Sequence, residues 1–494
     1  MTIPAEQAPV DQFLRELLGA APLETHISAV YVGRDRVLKL KKAVDLGFLD
    51  FKTLAARELY CRREYELNAP AAPGIYRGVW PVTESDPGRF ALGGPGQVLD
   101  WVVEMAPLPA EGFLDAMAQG GRVDMAVADA LGDAVHALHT GLQPLADVDP
   151  VKALAGVIAG NLKAAEAAGL PGEELGKWRD AIQAAHRQLS GLMRERAAQG
   201  FVRRCHGDLH LGNLVMWEGR PTAFDALEFS EDFARIDLGY DLSFLLMDCD
   251  CRVSRAVANR VMNRYIARSG DVGLLAAMPF YLSMRALIRA HCEARVGREG
   301  RSYLKAALDY LSPLAPRIVA VGGLQGTGKT WLARQIAPLI GCAPGAVHLR
   351  SDEIRKRLCG VAPEEKLPPK GYEPAMSAEV YDELRRMAAT ALRAGHSVVV
   401  DAVFLQPDRR AEIEVLAREN KARFDGIWLS APLEVLEQRV ANRHGDASDA
   451  DVSVLRQASK ADPGPLSPWK VIDATDGVAG RAMTALALIP PSAC

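Results

Sequence analysis

Apolar and polar positions recur with definite periods along this chain, and the changes of period mark its elements. Glu24-Thr25-His26-Ile27-Ser28-Ala29-Val30-Tyr31-Val32 and Arg36-Val37-Leu38-Lys39-Leu40 are rich in β-branched and aromatic residues and flank a Gly33-Arg34-Asp35 turn, which predicts a hairpin. Alternation would put Lys39 and Lys41 together on one strand face, either toward solvent or toward a buried partner. A helical pattern follows at 50–69, where Leu54, Leu59, Tyr60, Tyr65 and Leu67 are interleaved with Arg57, Glu58, Arg62, Arg63, Glu64 and Glu66. Strand-like pieces come next at 78–82 and 98–105, closed by Pro107-Leu108-Pro109, and an alanine-rich helical pattern then runs to about 199. Two short apolar strands, Leu214 to Trp217 and Thr222 to Phe224, flank a Glu218-Gly219-Arg220 turn.

Helical segments extend from about 252 to 310, and Pro313-Leu314-Ala315-Pro316 then breaks the pattern. Beyond it, short β-branched runs at 318–321, 347–350, 397–401 and 426–430 alternate with helical stretches. Such alternation predicts a parallel sheet covered on both faces. The expected organisation is one domain over 1–312, a linker at 313–316 and a second domain over 317–494.

Composition narrows the class without naming a function. A chain of 494 residues exceeds one compact core, and 49% hydrophobic with 24% charged residues is an ordinary globular balance. Lys and Arg number 58 against 62 Asp and Glu, a net charge of −4, so nothing in the overall balance asks for a nucleic-acid or membrane partner. The N-terminus has no basic region followed by an apolar one, and no run of 18 apolar residues is evident; the cytoplasm is the expected compartment. Eight cysteines scattered without a framework spacing suit reduced thiols. Cys249-x-Cys251 with His291 and Cys292 could hold a metal, but no paired CxxC accompanies them, and packing is the simpler account. His136 and His139, three apart on a helix, are likewise expected to pack or cap.

The most specific chemistry lies in Ile318-Val319-Ala320-Val321-Gly322-Gly323-Leu324-Gln325-Gly326-Thr327-Gly328-Lys329-Thr330, a strand that breaks into glycines and opens a helix at Trp331. The spacing Gly323-x4-Gly328-Lys329-Thr330 fits a Walker A loop, whose backbone N–H groups face one anion at the positive end of a helix dipole. Gly323, Gln325, Gly326, Thr327, Gly328, Lys329 and Thr330 are therefore the expected nucleotide positions. Lys329 would reach the β- and γ-phosphates and Thr330 would hold Mg²⁺.

A second chemical stretch is Cys205-His206-Gly207-Asp208-Leu209-His210-Leu211-Gly212-Asn213, followed by Phe224-Asp225-Ala226-Leu227. The pattern places Asp208 and Asn213 on a loop before the 214–224 hairpin and Asp225 just after it. A carboxylate able to take a hydroxyl proton, with an amide and a second carboxylate able to hold Mg²⁺, suits phosphoryl transfer from ATP. This stretch resembles the catalytic loop of the aminoglycoside phosphotransferase and choline kinase family, relatives of the protein kinases, and the likeness covers roughly 20–300. By that resemblance Asp208 would be the catalytic base, Asn213 and Asp225 metal ligands, and Lys39 the phosphate-binding lysine. Glu64, or next to it Glu66, would be the ion-pair partner of Lys39, and Glu104 and Met105 would lie at the hinge receiving adenine. No GxGxxG loop precedes Lys39, so the Thr25–Ser28 turn would cover the phosphates. Asp237 and Asp241 are expected to be structural. Arg285, Arg289, His291 and Arg295 would mostly form a solvated face, although the C-terminal helices of that family shape the acceptor pocket.

In the second domain, Ser351, Asp352 and Arg355 stand at the end of a strand beside the phosphate loop. There Asp352 could take a proton from an acceptor hydroxyl while Arg355 clamps an anionic part of the acceptor. The stretch resembles the gluconate kinase, polynucleotide kinase and zeta-toxin group of P-loop kinases. Asp401, ending a valine-rich strand, would sit near Mg²⁺. Glu437 to Arg443, with Ser448-Asp449-Ala450, is similar to that group's lid, and Arg439 and Arg443 share a helix face from which to stabilise the transferring phosphoryl.

The fold expected is thus an α+β, bilobal protein-kinase-like domain followed by an α/β P-loop NTPase domain with a parallel sheet, closer to a small P-loop kinase than to a motor or an AAA+ ATPase. The expected activity is ATP-dependent transfer of the γ-phosphate to hydroxyls of small-molecule acceptors at two Mg-ATP sites. Two alternatives stay open: an N-terminal half that binds without catalysing, and a P-loop half that phosphorylates nucleic-acid ends.

Overall fold

The computed structural model describes residues 2–47, 49–442, 447–476 and 478–486, apart from the side chains of 478, 479 and 485. The chain packs as two compact units that are not the two halves of the sequence. One comprises Met1–Val123, Ala137–Val157 and Gly191–Leu245; the other comprises Asp124–His136, Ile158–Ser190 and Leu246–Cys494.

In the first unit, α1 (Ala8–Leu18) precedes β1 (Leu23–Glu24), β2 (Ser28–Val32), β3 (Val37–Lys41), α2 (Leu54–Asn68), β4 (Tyr76–Asp86), β5 (Arg89–Leu92) and β6 (Gln97–Met105). These strands form an antiparallel sheet in the order β1-β2-β3-β6-β4-β5. Every residue of β3 is buried, because both faces of the sheet are covered. Leu38 and Leu40 join Val10 and Leu14 of α1 in one apolar cluster. Val37 joins Cys61 of α2, Val103, Met105, Val215 and Phe224 in another. Lys39 and Lys41 share the face of Val37, so period-two alternation directs both inward rather than to solvent. The 50–69 helix begins at Leu54, where the Thr53 hydroxyl caps the Ala56 N–H.

The chain continues through α3 (Leu114–Gln119), α4 (Met125–Thr140), α5 (Pro150–Ala167) and α6 (Gly172–Ala198), then β7 (Val202–Arg204), β8 (Leu214–Trp217), β9 (Arg220–Ala223), α7 (Glu231–Ala234), β10 (Arg235–Asp237) and α8 (Leu238–Arg252). β8 and β9 make the expected hairpin, and β7 pairs with β10. Both small ribbons flank the 205–213 loop.

After α9 (Arg255–Ser269), α10 (Met278–Arg295) and α11 (Arg301–Tyr310), the second unit builds β11 (Arg317–Gly323), α12 (Lys329–Ile336), β12 (Val347–Arg350), α13 (Ser351–Leu358), α14 (Pro374–Arg393), β13 (Val398–Asp401), α15 (Pro407–Glu419), β14 (Arg423–Ser430), α16 (Leu433–Ala441), α17 (Val452–Ala458), β15 (Lys470–Asp473) and α18 (Val478–Ala485). The five strands are all parallel, in the order β12-β13-β11-β14-β15. Val319, Val321, Leu332, Ile336, Val399 and Ile427 form the core beneath the phosphate loop. The α9 helix belongs to this unit because Asn259 donates to the Ala346 carbonyl (3.0 Å) and Asn263 accepts the His348 N–H (2.7 Å). Only Val272–Arg295 among the described residues is helical, long and apolar enough to cross a membrane, and 72% of its 18-residue apolar window is buried in the protein. The cysteines at 249 and 251 pack separately: Cys249 is buried, and Cys251 lies 3.5 Å from the Tyr310 hydroxyl.

His396, fully buried in the second unit, has its pKa depressed to about 4 by burial, against a hydrogen bond with the Leu275 carbonyl. Above an unfolded value near ~6.5 both states hold it neutral; below that, only the unfolded chain gains the proton. Stability of this unit is therefore expected to fall, by about 3 kcal/mol from this residue, as pH drops from about 6.5 to 4. His396→Gln should flatten that slope in denaturant titrations repeated across pH, and an unchanged slope would contradict the assignment.

Candidate functional site

In the first unit, charge is concentrated at the inner face of β3. Lys39 Nζ lies 2.8 Å from Glu64 Oε1 and 2.5 Å from Asp225 Oδ1. Lys41 Nζ lies 2.7 Å from Glu64 Oε2 and 2.5 Å from Glu228 Oε1. Glu64 thus stands between two lysines with no exposure to solvent, whereas Glu66 faces outward. Burial alone would neutralise these groups. For Glu64, attraction from Lys39 and Lys41 outweighs burial and lowers its pKa; for Lys39, Asp225 and Glu64 outweigh burial and raise its pKa well above the usual value. Both therefore remain ionised at neutral pH.

Asp225 occupies the left-handed region at φ 63°, an arrangement that costs a non-glycine residue about 1–3 kcal/mol. Two bonds hold it there. Its N–H donates to the Tyr76 hydroxyl (3.0 Å), and the next N–H, of Ala226, donates to Asn68 Oδ1 (2.8 Å). Asn68 is fixed in turn by donating to the Glu64 carbonyl (2.9 Å). The Asp225 carboxylate stays 40% exposed, open on the side away from Lys39.

The 205–213 loop is tied down from beneath. Asp241, with no solvent exposure, accepts N–H bonds from His206 (3.2 Å) and Gly207 (2.8 Å) and faces His139 Nε2 at 3.2 Å. Cys205 meets the same cluster, but hydrogen bonding to the loop already engages Asp241, so the group reads as a brace for the loop. His206 Nδ1 accepts the Asp208 N–H at 3.3 Å, so Nε2 carries the proton and donates to the Phe224 carbonyl (2.9 Å); burial lowers its pKa and keeps it neutral. Gly207 has φ 84°, and a Cβ there would come within 2.9 Å of Leu227 and 3.2 Å of the Phe233 carbonyl. Above this base, Asn213 Nδ2 donates to Asp208 Oδ2 (3.0 Å) and to the Asp208 carbonyl (2.9 Å). His210 Nε2 lies 3.4 Å from the same carboxylate oxygen. The amide oxygen of Asn213 and the carboxylate of Asp225 are hard oxygen donors of the kind Mg²⁺ takes.

Glu104 and Met105 lie one step short of the expected hinge. Both are within the paired part of β6, between β3 and β4. The Glu104 carboxylate is engaged by Trp80 Nε1 at 2.7 Å, and Met105 is packed in the core with Val37 and Val215. The backbone leaves the sheet at 106–109. Ser28, expected to offer a hydroxyl over the phosphates, is buried, while its N–H is held by Thr25 Oγ1 at 3.0 Å.

In the second unit the glycine-rich turn bends through Gly323, Gly326 and Gly328 at φ 135°, 82° and 88°. A Cβ at Gly326 would lie 2.8 Å from the Leu436 carbonyl. Leu324 O accepts from Thr327 Oγ1 (2.7 Å) and Lys329 Nζ (3.0 Å). Thr330 Oγ1 donates to Asp401 Oδ2 at 2.6 Å, joining the start of α12 to the end of β13, the strand directly beside β11. Burial would raise the pKa of Asp401, but His348, Arg350 and Lys329 overcome it and drive the pKa strongly down. A hydroxyl and an ionised carboxylate meeting beside a phosphate loop fit Mg²⁺. These residues open on a cavity of about 980 Å³, lined also by Gln325, Asp352 and Arg355. Gln325 Oε1 is buried there with no hydrogen-bond partner among the described residues.

Asp352 sits in the first turn of α13, where its side chain keeps 33% exposure and lies 3.9 Å from Arg350. Two arginines expected at the site line the cavity and also brace its walls. Arg355 donates through Nη1 to the Gly371 carbonyl (2.8 Å) and lies over the Tyr372 ring, steadying the 369–377 segment. Arg439 donates to the Ala474 and Thr475 carbonyls at 2.9 and 2.8 Å and only distantly to Gly326 O, tying α16 to the end of the sheet. Arg443 lies outside the described residues. Asp449 accepts from Lys356 (2.9 Å), Tyr372 (2.7 Å) and the Leu367 N–H (2.9 Å).

Sequence reasoning missed Lys41, Glu228, Tyr76, Asn68 and His210 in the first unit. Lys41 had a signal, since it shares the strand face of Lys39, and Glu228 follows Asp225 by three residues.

Comparison with known proteins places both segments. Residues 87–278 match a family model described as a phosphotransferase enzyme family, and residues 318–461 match one described as an AAA domain. Uncharacterised proteins of Mycobacterium tuberculosis and Mycobacterium bovis are each 29% identical over 460 residues, covering 89% of this chain and 90% of the relative. Among solved structures, a choline kinase from Cryptosporidium parvum is 10% identical with a TM-score of 0.38, covering 59% of this chain and 87% of its own. A gluconokinase from Sinorhizobium meliloti is 21% identical with a TM-score of 0.25, covering 36% and 94%. The chain thus joins a segment that matches a phosphotransferase family model to one that matches an AAA-domain model.

Removing Glu64 would leave two buried lysines facing one another. Glu64→Ala is expected to destabilise the first unit by about 3–5 kcal/mol in denaturant unfolding. Lys39→Ala, which leaves Lys41 on Glu64, should cost clearly less, and equal losses would contradict the central position given to Glu64.

Proposed function

We propose that this chain is a two-site ATP-dependent phosphotransferase, each half moving the γ-phosphate of ATP to a hydroxyl of a small molecule. The observation that carries the reading is that two separate sets of cation, carboxylate and hydroxyl or amide oxygen converge from distant parts of the sequence. Lys39, Glu64, Asp208, Asn213 and Asp225 form one; Lys329, Thr330 and Asp401 at the phosphate loop form the other.

In the first site Lys39, fixed by Glu64, presents its ammonium to the phosphates, and the 106–109 backbone with Val37 and Val215 receives the base. Asp208, oriented by the Asn213 amide, accepts the proton of the acceptor hydroxyl as its oxygen attacks. Asn213 and Asp225 would hold Mg²⁺. In the second site the N–H groups of 325–330 cradle the phosphates, Lys329 exchanges its Leu324 carbonyl contact for phosphate oxygen, and Thr330 with Asp401 would hold Mg²⁺. Asp352 is the group placed to take the acceptor proton. When bound, Mg²⁺ supplies neutralisation of charge on the β- and γ-phosphates at either site.

Full-length protein, incubated with radiolabelled ATP and a panel of hydroxylated metabolites, tests this. Asp208→Ala should lower transfer to one acceptor by about 10²–10⁴-fold and leave another untouched, with Lys329→Ala giving the reverse pattern. Transfer unaffected by Asp208→Ala would make the first half a binding module. Labelling of oligonucleotide ends in place of metabolites would contradict the small-molecule reading of the second.

A further inference from the structure

The phosphate-loop cavity is not lined by the C-terminal segment alone. Arg260 and Arg264 of α9 and Asp129 of α4 also line it, and all three belong to the same compact unit as the loop. They meet Arg334 of α12 and Arg350 at the end of β12, two further lining residues.

The charges around these arginines do not balance evenly. Arg264 is fully engaged, with a two-pronged pair to Asp133 (2.7 and 2.8 Å) and a bond to Glu364 (2.6 Å). Arg260 makes one bond to Asp129 (2.5 Å), while its buried Nε and the buried Asp129 Oδ1 have no hydrogen-bond partner among the described residues. Arg350, only 3% exposed, has the carboxylates of Asp352, Glu353 and Asp401 at 3.8–3.9 Å and belongs to the charge that holds Asp401. No ion pair within 4 Å is made by Arg334 among the described residues. Desolvation, then repulsion from Arg260 and Arg350, lowers the pKa of Arg334, a sign of how closely the three guanidinium groups crowd together. Arg260 with its unpartnered Nε–H, and Arg334 with no carboxylate partner among the described residues, beside a phosphate-binding loop match a planar or tetrahedral oxyanion.

We infer that the acceptor of the P-loop site carries an anionic group of its own, a phosphate monoester or a carboxylate, held by Arg260 and Arg334 while Asp352 addresses its hydroxyl. The inference rests on the P-loop site being a kinase site and adds the class of its acceptor. It also gives α9, inside the phosphotransferase-family segment, a direct part in the specificity of the P-loop site.

The test uses full-length protein saturated with Mg²⁺ and a non-hydrolysable ATP analogue, so that the phosphate loop itself is filled. Calorimetric titration then compares inorganic phosphate, a sugar phosphate, a sugar carboxylate and the neutral sugar. Phosphate or one of the two charged sugars should bind where the neutral sugar does not, and the stronger of the two names the anion. Arg334→Ala and Arg260→Ala should each weaken that binding by about tenfold or more, with analogue affinity unchanged. Arg334→Lys should fall between, because charge is kept and the fork is lost. Anion binding indifferent to both alanine variants, or no stronger than that of the neutral sugar, would overturn the inference. If the analogue binds equally to wild type and Lys329→Ala, the kinase reading of this site fails and the inference fails with it.

Discussion

A carboxylate sealed from water stays ionised only while cations hold it, and each half of this chain is organised around one such group. Glu64 is gripped by Lys39 and Lys41, and Asp401 by His348, Arg350 and Lys329 together with the Thr330 hydroxyl. Taking an ion out of water costs several kcal/mol, so neither group could persist if its partners were displaced. That penalty makes the geometry around each carboxylate rigid. The strand bearing Lys39, the helix bearing Glu64 and the turn bearing Asp225 are locked to one another, as are the phosphate loop and β13.

Rigidity of this kind suits phosphoryl transfer, where the protein contributes positioning and fixed charge more than covalent chemistry. Asp225 shows how far the scaffold goes to achieve it. A non-glycine residue is held in left-handed backbone by Tyr76 and Asn68, and Asn68 is anchored to the same helix that carries Glu64. Beneath the neighbouring loop, Asp241 receives two backbone N–H groups, and neutral His206 spans to Phe224. The exposed parts of Asp208 and Asp225 are therefore the ends of a largely buried hydrogen-bonded frame.

Much of this was legible in the sequence where chemistry is local. The phosphate loop is a contiguous run whose glycines have one job, and the strand, turn and helix around it follow from period alone. The 205–213 stretch and the 214–224 hairpin are equally compact. What was not legible depends on packing between distant segments. Lys41 shares its face with Lys39, yet nothing in the strand says whether that face is wet or dry; the answer comes from α1 and α2 closing both sides. Arg355 and Arg439 had suitable spacing for anion contacts, and what spacing could not show is that carbonyls at Gly371, Ala474 and Thr475 take part of each guanidinium. Arg260 and Arg334, on the wall of the same cavity, stand 74 positions apart in sequence, with no motif to connect them. The prolines at 313 and 316 break the pattern of the sequence, while Asn259 and Asn263 carry α9 across that break into the packing of β12.

The central claim is that this polypeptide holds two independent nucleotide sites. Equilibrium dialysis of a non-hydrolysable ATP analogue with Mg²⁺ against the full chain measures it directly. Two molecules bound per chain are expected, falling to one in Lys329→Ala, to one in Asp225→Ala and to none when both are changed. A stoichiometry of one in the unaltered protein, or single variants that each abolish all binding, would contradict it.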